Sequence, residues 1–420
     1  MRGLNEIRIT GGNSLHGSVS IQGAKNSALP MMAASLLHRG ISVLKGCPRI
    51  ADVFCMEEIL RELGAVTWWD DHDLYLDCTE ADKTEISAGY TEKMRSSVIL
   101  LGVLLARNKK GCIGYPGGCV IGRRPVDLHV SALRSLGARI TEGGFFIYGE
   151  CDSLKGNRIV FGKSSVGATE QAVLAAVTAK GETLLENCAR EPEILWLCRY
   201  LKTMGASIQG EGSSVIRIQG VKELSGGEMR VPPDRIVAGT YICAAAITRS
   251  EITIENAPIE EMEAFLKVYE KMGGQYEGKS GKLRVNGKFV CHPIRRLETE
   301  AYPGFPTDLQ SPVLAVLTTI PGQSHIRESI FEDRFRAAKE LVRMGAHIEV
   351  KGADARIDGG YPLTGCRVKA DELRGGAALV LAAIAAQGET CITGAGFIGR
   401  GYEHICEDLK ALGCQEIREE

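Results

Sequence analysis

A glycine that returns at nearly even intervals sets the first limit on what this chain can become. The segments "ELGAVTW", "SLGARIT", "TMGASIQ", "KMGGQYE", "RMGAHIE" and "ALGCQEI" place it at 64, 137, 205, 273, 345 and 413, at intervals of 73, 68, 68, 72 and 68 residues. Each closes a helical pattern such as "DVFCMEEILRELG" or "FEDRFRAAKELVRMG", where a C-terminal left-handed glycine belongs. Upstream lies a second, more apolar helix, as in "SALPMMAASLL", "TEQAVLAAVTA" or "GGAALVLAAIAA", followed by a short strand such as "ETLLEN" or "EITIEN". Downstream comes a hairpin, as in "SIQGEGSSVIRIQG" or "HIEVKGADARIDGG". The unit reads β-α-β-α-β-β and occurs six times, which predicts an α/β protein assembled from stacked copies of one supersecondary motif.

The sixth hairpin stops at "CQEIREE" without a return strand, while the N-terminal "EIRITGG" matches return strands such as "VIRIQGV" and "ARIDGGY". The first strand is therefore expected to complete the last unit. Three units then form one domain, residues 22–229, and the other three form a second, residues 1–21 with 230–420. Chain crossovers near Ile21 and Arg230 are the expected hinge.

Composition excludes several classes. Fifty Lys and Arg stand against 52 Asp and Glu, with no basic tract, so bulk nucleic-acid binding is not expected. No apolar run reaches the roughly 18–20 residues of a membrane span. "MRGLNEIRITGG" lacks an apolar signal-peptide core, which predicts a cytoplasmic protein. The 14 cysteines show no CxxC spacing, and most read as buried thiols rather than metal ligands.

Aligning the units turns scattered charges into a pattern. Lys25, Arg95, Lys163, Asp234, Asp308 and Arg374 stand at the starts of the first helices, and Arg124, Arg190, Arg334 and Arg400 at the starts of the second. Helix N-termini attract anions, so cations there oppose the dipole unless an anion lies between them. The recurrence favours an anion-binding cleft for a small ligand bearing phosphate and carboxylate, which suit the arginine fork. "GAGFIG" (394–399) fits GxGxxG, but the chain ends at 420, too soon for the rest of a dinucleotide fold. In the repeat frame it is the turn before the last helix.

Taken in order, "GAKNSALP", "KMRSS", "GGCVIGRRPVDLH", "SVGAT", "AREPEI", "FPTDLQ", "FEDRF" and "RGYE" closely resemble the UDP-N-acetylglucosamine 1-carboxyvinyltransferase family, the enolpyruvyl transferases that open peptidoglycan precursor synthesis. The resemblance implies a two-domain inside-out α/β barrel of six βαβαββ repeats, the enolpyruvyl transferase fold. It implies that phosphoenolpyruvate and UDP-N-acetylglucosamine are the substrates, joined by addition and elimination with loss of phosphate, and that no metal or redox cofactor is needed.

Carried over by motif, Lys25, Asn26, Arg124, Arg334, Arg374 and Arg400 are expected around phosphoenolpyruvate. Asn26, Arg95, Arg124, Pro125, Val126, Asp127, Leu128, Lys163, Ser164, Ser165, Val166, Asp308 and Ile330 are expected to hold the nucleotide sugar. Lys25, Cys119, Asp308 and Arg400 are the expected catalytic set, with Cys119 as acid and Asp308 as base. Asp308 alone reads equally as the N-cap of the helix after "PTD", and His129 reads as either a ligand contact or a packed helix histidine. Two positions depart from the family: Glu372, beside Asp371, replaces an aspartate, and Gly399 replaces an acidic residue before Arg400.

Cys119 lies between glycines and two arginines. That setting predicts a bendable, closely approaching segment and a thiol whose pKa the arginines lower. Rival readings are an enolpyruvyl transferase for shikimate 3-phosphate or another nucleotide, and a non-catalytic nucleotide-sugar sensor. With the cations divided between two domains, the nucleotide sugar is expected to close the cleft.

Overall fold

The computed structural model describes residues 6–117, 125–414 and 416–419. These fall into two compact units, one of residues 23–117 and 125–232, the other of residues 6–22 with 233–414 and 416–419. Each unit has its own apolar core.

Six four-stranded sheets are present among the described residues, three in each unit. Every sheet repeats one plan. In the third unit of the chain, Arg158–Val160 runs parallel to Glu182–Glu186, which pairs antiparallel with Val215–Gln219, which pairs antiparallel with Ser207–Gln209. A helix, Val166–Ala176, crosses between the parallel strands, and Pro192–Thr203 precedes the hairpin. The β-α-β-α-β-β reading of the sequence describes this arrangement.

Apolar periodicity explains which side of each element faces the core. The crossover helices are apolar almost all round and buried along nearly their whole length, as in Leu373–Ala385 and Arg235–Ile247. The strands alternate instead: Ile7 and Ile9 are fully buried while Glu6, Arg8 and Thr10 are partly exposed. Helices therefore form the interior and sheets the outer wall, the inverse of an ordinary α/β barrel.

The repeat glycines do what their positions predict. Gly64, Gly137, Gly205, Gly273, Gly345 and Gly413 all have positive φ, from 93° to 107°, conformations that side chains with a Cβ strongly disfavour.

The N-terminal strand completes the sixth unit, as its sequence predicts. Glu6–Thr10 lies between Glu389–Thr393 and Ile417–Glu419 and is antiparallel to both. A glycine follows this strand for the reason one follows the return strand Val215–Gln219. A Cβ on Gly11 would fall 2.3 Å from the carbonyl oxygen of Ala383, and one on Gly220 would fall 1.6 Å from that of Ala179.

Two further exchanges escaped the sequence reading. Ser18–Ser20 supplies the parallel edge strand beside Glu251–Glu255, and Glu228–Arg230 does the same beside Ile41–Lys45. Three-residue edge strands carry too little alternation to be recognised alone.

Candidate active site

In the unit containing residues 233–414, one carboxylate sits between two buried guanidinium groups. The 3-10 turn Thr307–Leu309 leads into the helix Gln310–Thr318 and makes no side-chain cap. The Asp308 carboxylate is directed away from its own backbone: Oδ1 accepts from Arg334 Nη2 at 2.8 Å, and Oδ2 accepts from Arg374 Nη2 at 2.9 Å and Nε at 3.2 Å. The N-cap alternative for Asp308 is thereby corrected, because its oxygens are engaged by arginines from two other elements. Both arginine side chains are almost wholly buried, whereas that of Asp308 is 28% exposed. This carboxylate is oriented by its partners yet open on one side.

The cap chemistry appears at neighbouring repeats. Asp234 caps Arg235–Ile247 through the N–H groups of Ile236 and Val237 at 2.8 and 3.1 Å. Glu372 caps Leu373–Ala385, accepting from the Arg374 N–H at 2.8 Å and from Gly375, and its Oε2 lies 3.7 Å from Arg334 Nη1. Asp371 instead pairs with Lys369 at 3.0 Å and is 41% exposed. Glu372 is therefore the member of this acidic pair that belongs to the arginine cluster. Burial opposes the charge on Arg374, but Asp308, then Tyr402 and Asp234, outweigh it and hold its pKa above the ordinary guanidinium value.

Tyr402 extends the cluster and received no role from the sequence. Its hydroxyl lies 2.8 Å from Thr240 Oγ1 and 3.5 Å from Arg374 Nη1, and its ring centroid is 5.7 Å from the Arg374 guanidinium carbon. Burial raises its pKa. Glu328 was also missed. It joins the turn before Asp308 to the turn containing Ile330, whose N–H donates to Glu328 Oε1 at 2.8 Å. Arg400 ends the 3-10 segment Ala395–Arg400 and is half-buried. A side chain at Gly399 would meet nothing within 4 Å, so packing does not demand the glycine there.

The second cluster lies in the unit of residues 23–232. Lys25 is the first residue of the helix Lys25–Ser35, where it opposes the helix dipole. Asp52, in the first turn of Ala51–Glu62, lies 3.2 Å from its ammonium, and both side chains are largely buried. Asn26 follows in the first turn and is half-buried. Arg95 opens the 3-10 segment Arg95–Ile99 and donates to the Pro125 carbonyl at 3.0 Å. The structure thus brings Arg95 to the segment Pro125, Val126, Asp127 and Leu128, which starts the helix Asp127–Ser135.

Lys163 is exposed and stands before its helix rather than in it, while Ser164 leads to Ser165, the N-cap. Ser165 Oγ accepts from the Ala168 N–H at 3.4 Å, and Val166 is the first helical residue. His129 is buried and its Nδ1 meets Gln171 Oε1. It is packed against the helix Val166–Ala176. Cys119 and Arg124 lie outside the described residues.

The comparisons cover nearly the whole chain. The family described as EPSP synthase (3-phosphoshikimate 1-carboxyvinyltransferase) matches residues 9–409. A UDP-N-acetylglucosamine 1-carboxyvinyltransferase 2 of Caldanaerobacter subterraneus is 43% identical over 415 residues, 99% of this chain and 100% of that protein. A UDP-N-acetylglucosamine 1-carboxyvinyltransferase of Koribacter versatilis is 42% identical, over 98% of this chain and 96% of its own length. Among solved structures, the enolpyruvyl transferase NikO from Streptomyces tendae superposes with a TM-score of 0.89 at 24% identity, covering 100% of this chain and 99% of its own. An EPSP synthase from Acinetobacter baumannii gives 0.74 at 19% identity, covering 99% of this chain and 100% of its own. At those identities the two structures speak for the fold alone, and the fold is that of the enolpyruvyl transferases. No helix among the described residues is long and apolar enough to cross a membrane. Repeat architecture, motif order and full-length identity converge: the chain belongs to the EPSP synthase family and, within it, to the UDP-N-acetylglucosamine 1-carboxyvinyltransferases.

Proposed function

We infer that this chain transfers the enolpyruvyl group of phosphoenolpyruvate to the 3′-hydroxyl of UDP-N-acetylglucosamine and releases phosphate, the first committed step of peptidoglycan precursor synthesis. The observation that carries the reading is identity of 40% or more, end to end, with relatives of that name.

The chemistry assigns tasks to this chain's residues. Proton delivery to the alkene carbon of phosphoenolpyruvate makes the adjoining carbon electrophilic, and the sugar oxygen adds there as its own proton leaves. Return of the proton from the methyl carbon then expels phosphate. Asp308 is the proposed acceptor of the hydroxyl proton, held in one orientation by Arg334 and Arg374. Cys119, read from its motif, is the proposed donor to carbon. Lys25, Asn26, Arg124, Arg334, Arg374 and Arg400 are the proposed contacts for phosphoenolpyruvate, where guanidinium forks match phosphate and carboxylate. Arg95, the segment 125–128, residues 163–166 and Ile330 are the proposed contacts for the nucleotide sugar. The two domains proposed from the repeats carry these sets. Cytoplasmic placement goes with this reading, and the described cysteines are free thiols, the state a reducing compartment maintains.

Phosphate release from phosphoenolpyruvate, with UDP-N-acetylglucosamine and shikimate 3-phosphate offered separately, is the direct test. Release with the nucleotide sugar alone is expected. Release with shikimate 3-phosphate alone would reassign the acceptor, and release with neither would leave a binding protein.

A further inference from the structure

Glu328 is a buried carboxylate with an unusual set of partners. Its side chain follows the strand Gly322–Arg327, it is 2% exposed, and no ion pair to it is found among the described residues. A buried carboxylate normally needs a counter-charge or several hydrogen bonds to offset lost hydration. Here the donors are neutral and come from two different segments. Oε1 accepts the N–H groups of Ile330 at 2.8 Å and Phe331 at 3.0 Å, and Oε2 accepts the Thr307 hydroxyl at 3.0 Å.

Those segments carry the ion pair described above. Thr307 is the residue before Asp308, and Phe331 precedes Arg334 by three residues, with its ring centroid 5.7 Å from the Arg334 guanidinium carbon. Arg334 Nη2 reaches both Asp308 Oδ1 at 2.8 Å and the Thr307 carbonyl at 3.5 Å. One carboxylate therefore staples the turn bearing Asp308 to the turn leading into Arg334. We propose that Glu328 is a positioning residue, fixing where the Asp308 carboxylate points relative to Arg334 and thereby setting the rate of proton removal from the acceptor hydroxyl. Glu328 touches neither Asp308 nor Arg334 through its own oxygens, so it acts through the backbone of both turns. The inference rests on the role proposed for Asp308.

A misplacement of about 1 Å at a reacting group costs roughly a hundredfold in rate, which sets the expected scale. Glu328→Ala is expected to lower kcat about a hundredfold while KM for phosphoenolpyruvate stays within about threefold. Glu328→Gln keeps an oxygen for the two N–H groups and offers an amide to the Thr307 oxygen, so it should retain most of the turnover. In an Asp308→Ala background, Glu328→Ala should cause no further loss, because the group it positions is gone. Should Glu328→Ala not fold, Thr307→Val removes one end of the staple with little change in volume; it is expected to stay folded, melt somewhat lower because Oε2 loses its donor, and lower kcat. Parental turnover in the folded Glu328→Ala or Thr307→Val protein, or losses that multiply in the Asp308→Ala background, would overturn the proposal. Parental turnover in Asp308→Ala alone would instead refute the role given to Asp308.

Discussion

Replacing Asp308 by alanine removes a proposed base and a counter-charge together. Loss of a general base lowers turnover by about two to four powers of ten. Loss of the counter-charge leaves two buried arginines, Arg334 and Arg374, to share what compensation Glu372 offers at 3.7 Å from Arg334, so the melting temperature should fall as well. Inorganic phosphate, an anion able to take the vacated place, should raise the melting temperature of Asp308→Ala more than that of the parent. A thermal melt with and without phosphate, beside a turnover assay, checks both; a variant with parental turnover would leave Asp308 a counter-ion only. Glu170 gives a pH test away from this cluster. Burial first, then the charges of Glu193 and Glu191, raise its pKa well above the ordinary carboxylate value. The folded chain keeps that proton to higher pH than the unfolded chain, so stability falls as pH rises from about 4.3 toward the raised value. Glu170→Gln, which imitates the protonated form, should melt above the parent at about pH 7–8, with the gap closing toward about pH 4. An equal gap at every pH would place its origin elsewhere. At this scale the charged residues were legible because their motifs are contiguous. Glu328, Tyr402 and Asp52 were not, since their meaning lies in distances across 21, 28 and 27 residues of sequence.

The helix ends show how far local sequence reaches. All six repeat glycines adopt positive φ, but their surroundings differ, and substitution should reveal it. A Cβ at Gly205 would meet nothing within 4 Å, whereas one at Gly273 would fall 2.2 Å from the Phe289 carbonyl oxygen. Gly205→Ala should therefore cost about 1–2 kcal/mol, the backbone strain alone, and Gly273→Ala distinctly more. Urea unfolding of the two variants decides this, and equal costs would show that strain, not contact, governs both positions. Helix and strand periodicities were readable because apolar spacing is local. The 3-10 turn at Thr307–Leu309 was not, because the arginines that hold the Asp308 side chain away from a capping position arrive from 26 and 66 residues further along the chain.

At the scale of the whole molecule, strand exchange predicts which fragments fold. The three sheets of the first unit use only strands between Ile41 and Arg230, all within one stretch of chain. A fragment of residues 22–232 should fold and melt cooperatively. A fragment of residues 230–420 lacks Glu6–Thr10 and Ser18–Ser20, and the first of these is an inner strand paired on both sides. It should remain unfolded or aggregate through its open sheet, and adding residues 1–22 as a separate peptide should restore structure. Circular dichroism of the three samples is the test, and a well-folded 230–420 fragment would refute it. The sequence by itself determined the repeat, the order of elements within it, the closure of the chain by its first strand and the charged positions, because periodicity and turn chemistry act over a few residues. Only the tertiary structure decided that Asp308 faces two arginines, that Glu372 rather than Asp371 joins them, that His129 is packed against Gln171, and that short edge strands pair with strands far along the chain. Each of those outcomes depends on which distant groups arrive within hydrogen-bonding reach, and chain topology sets that.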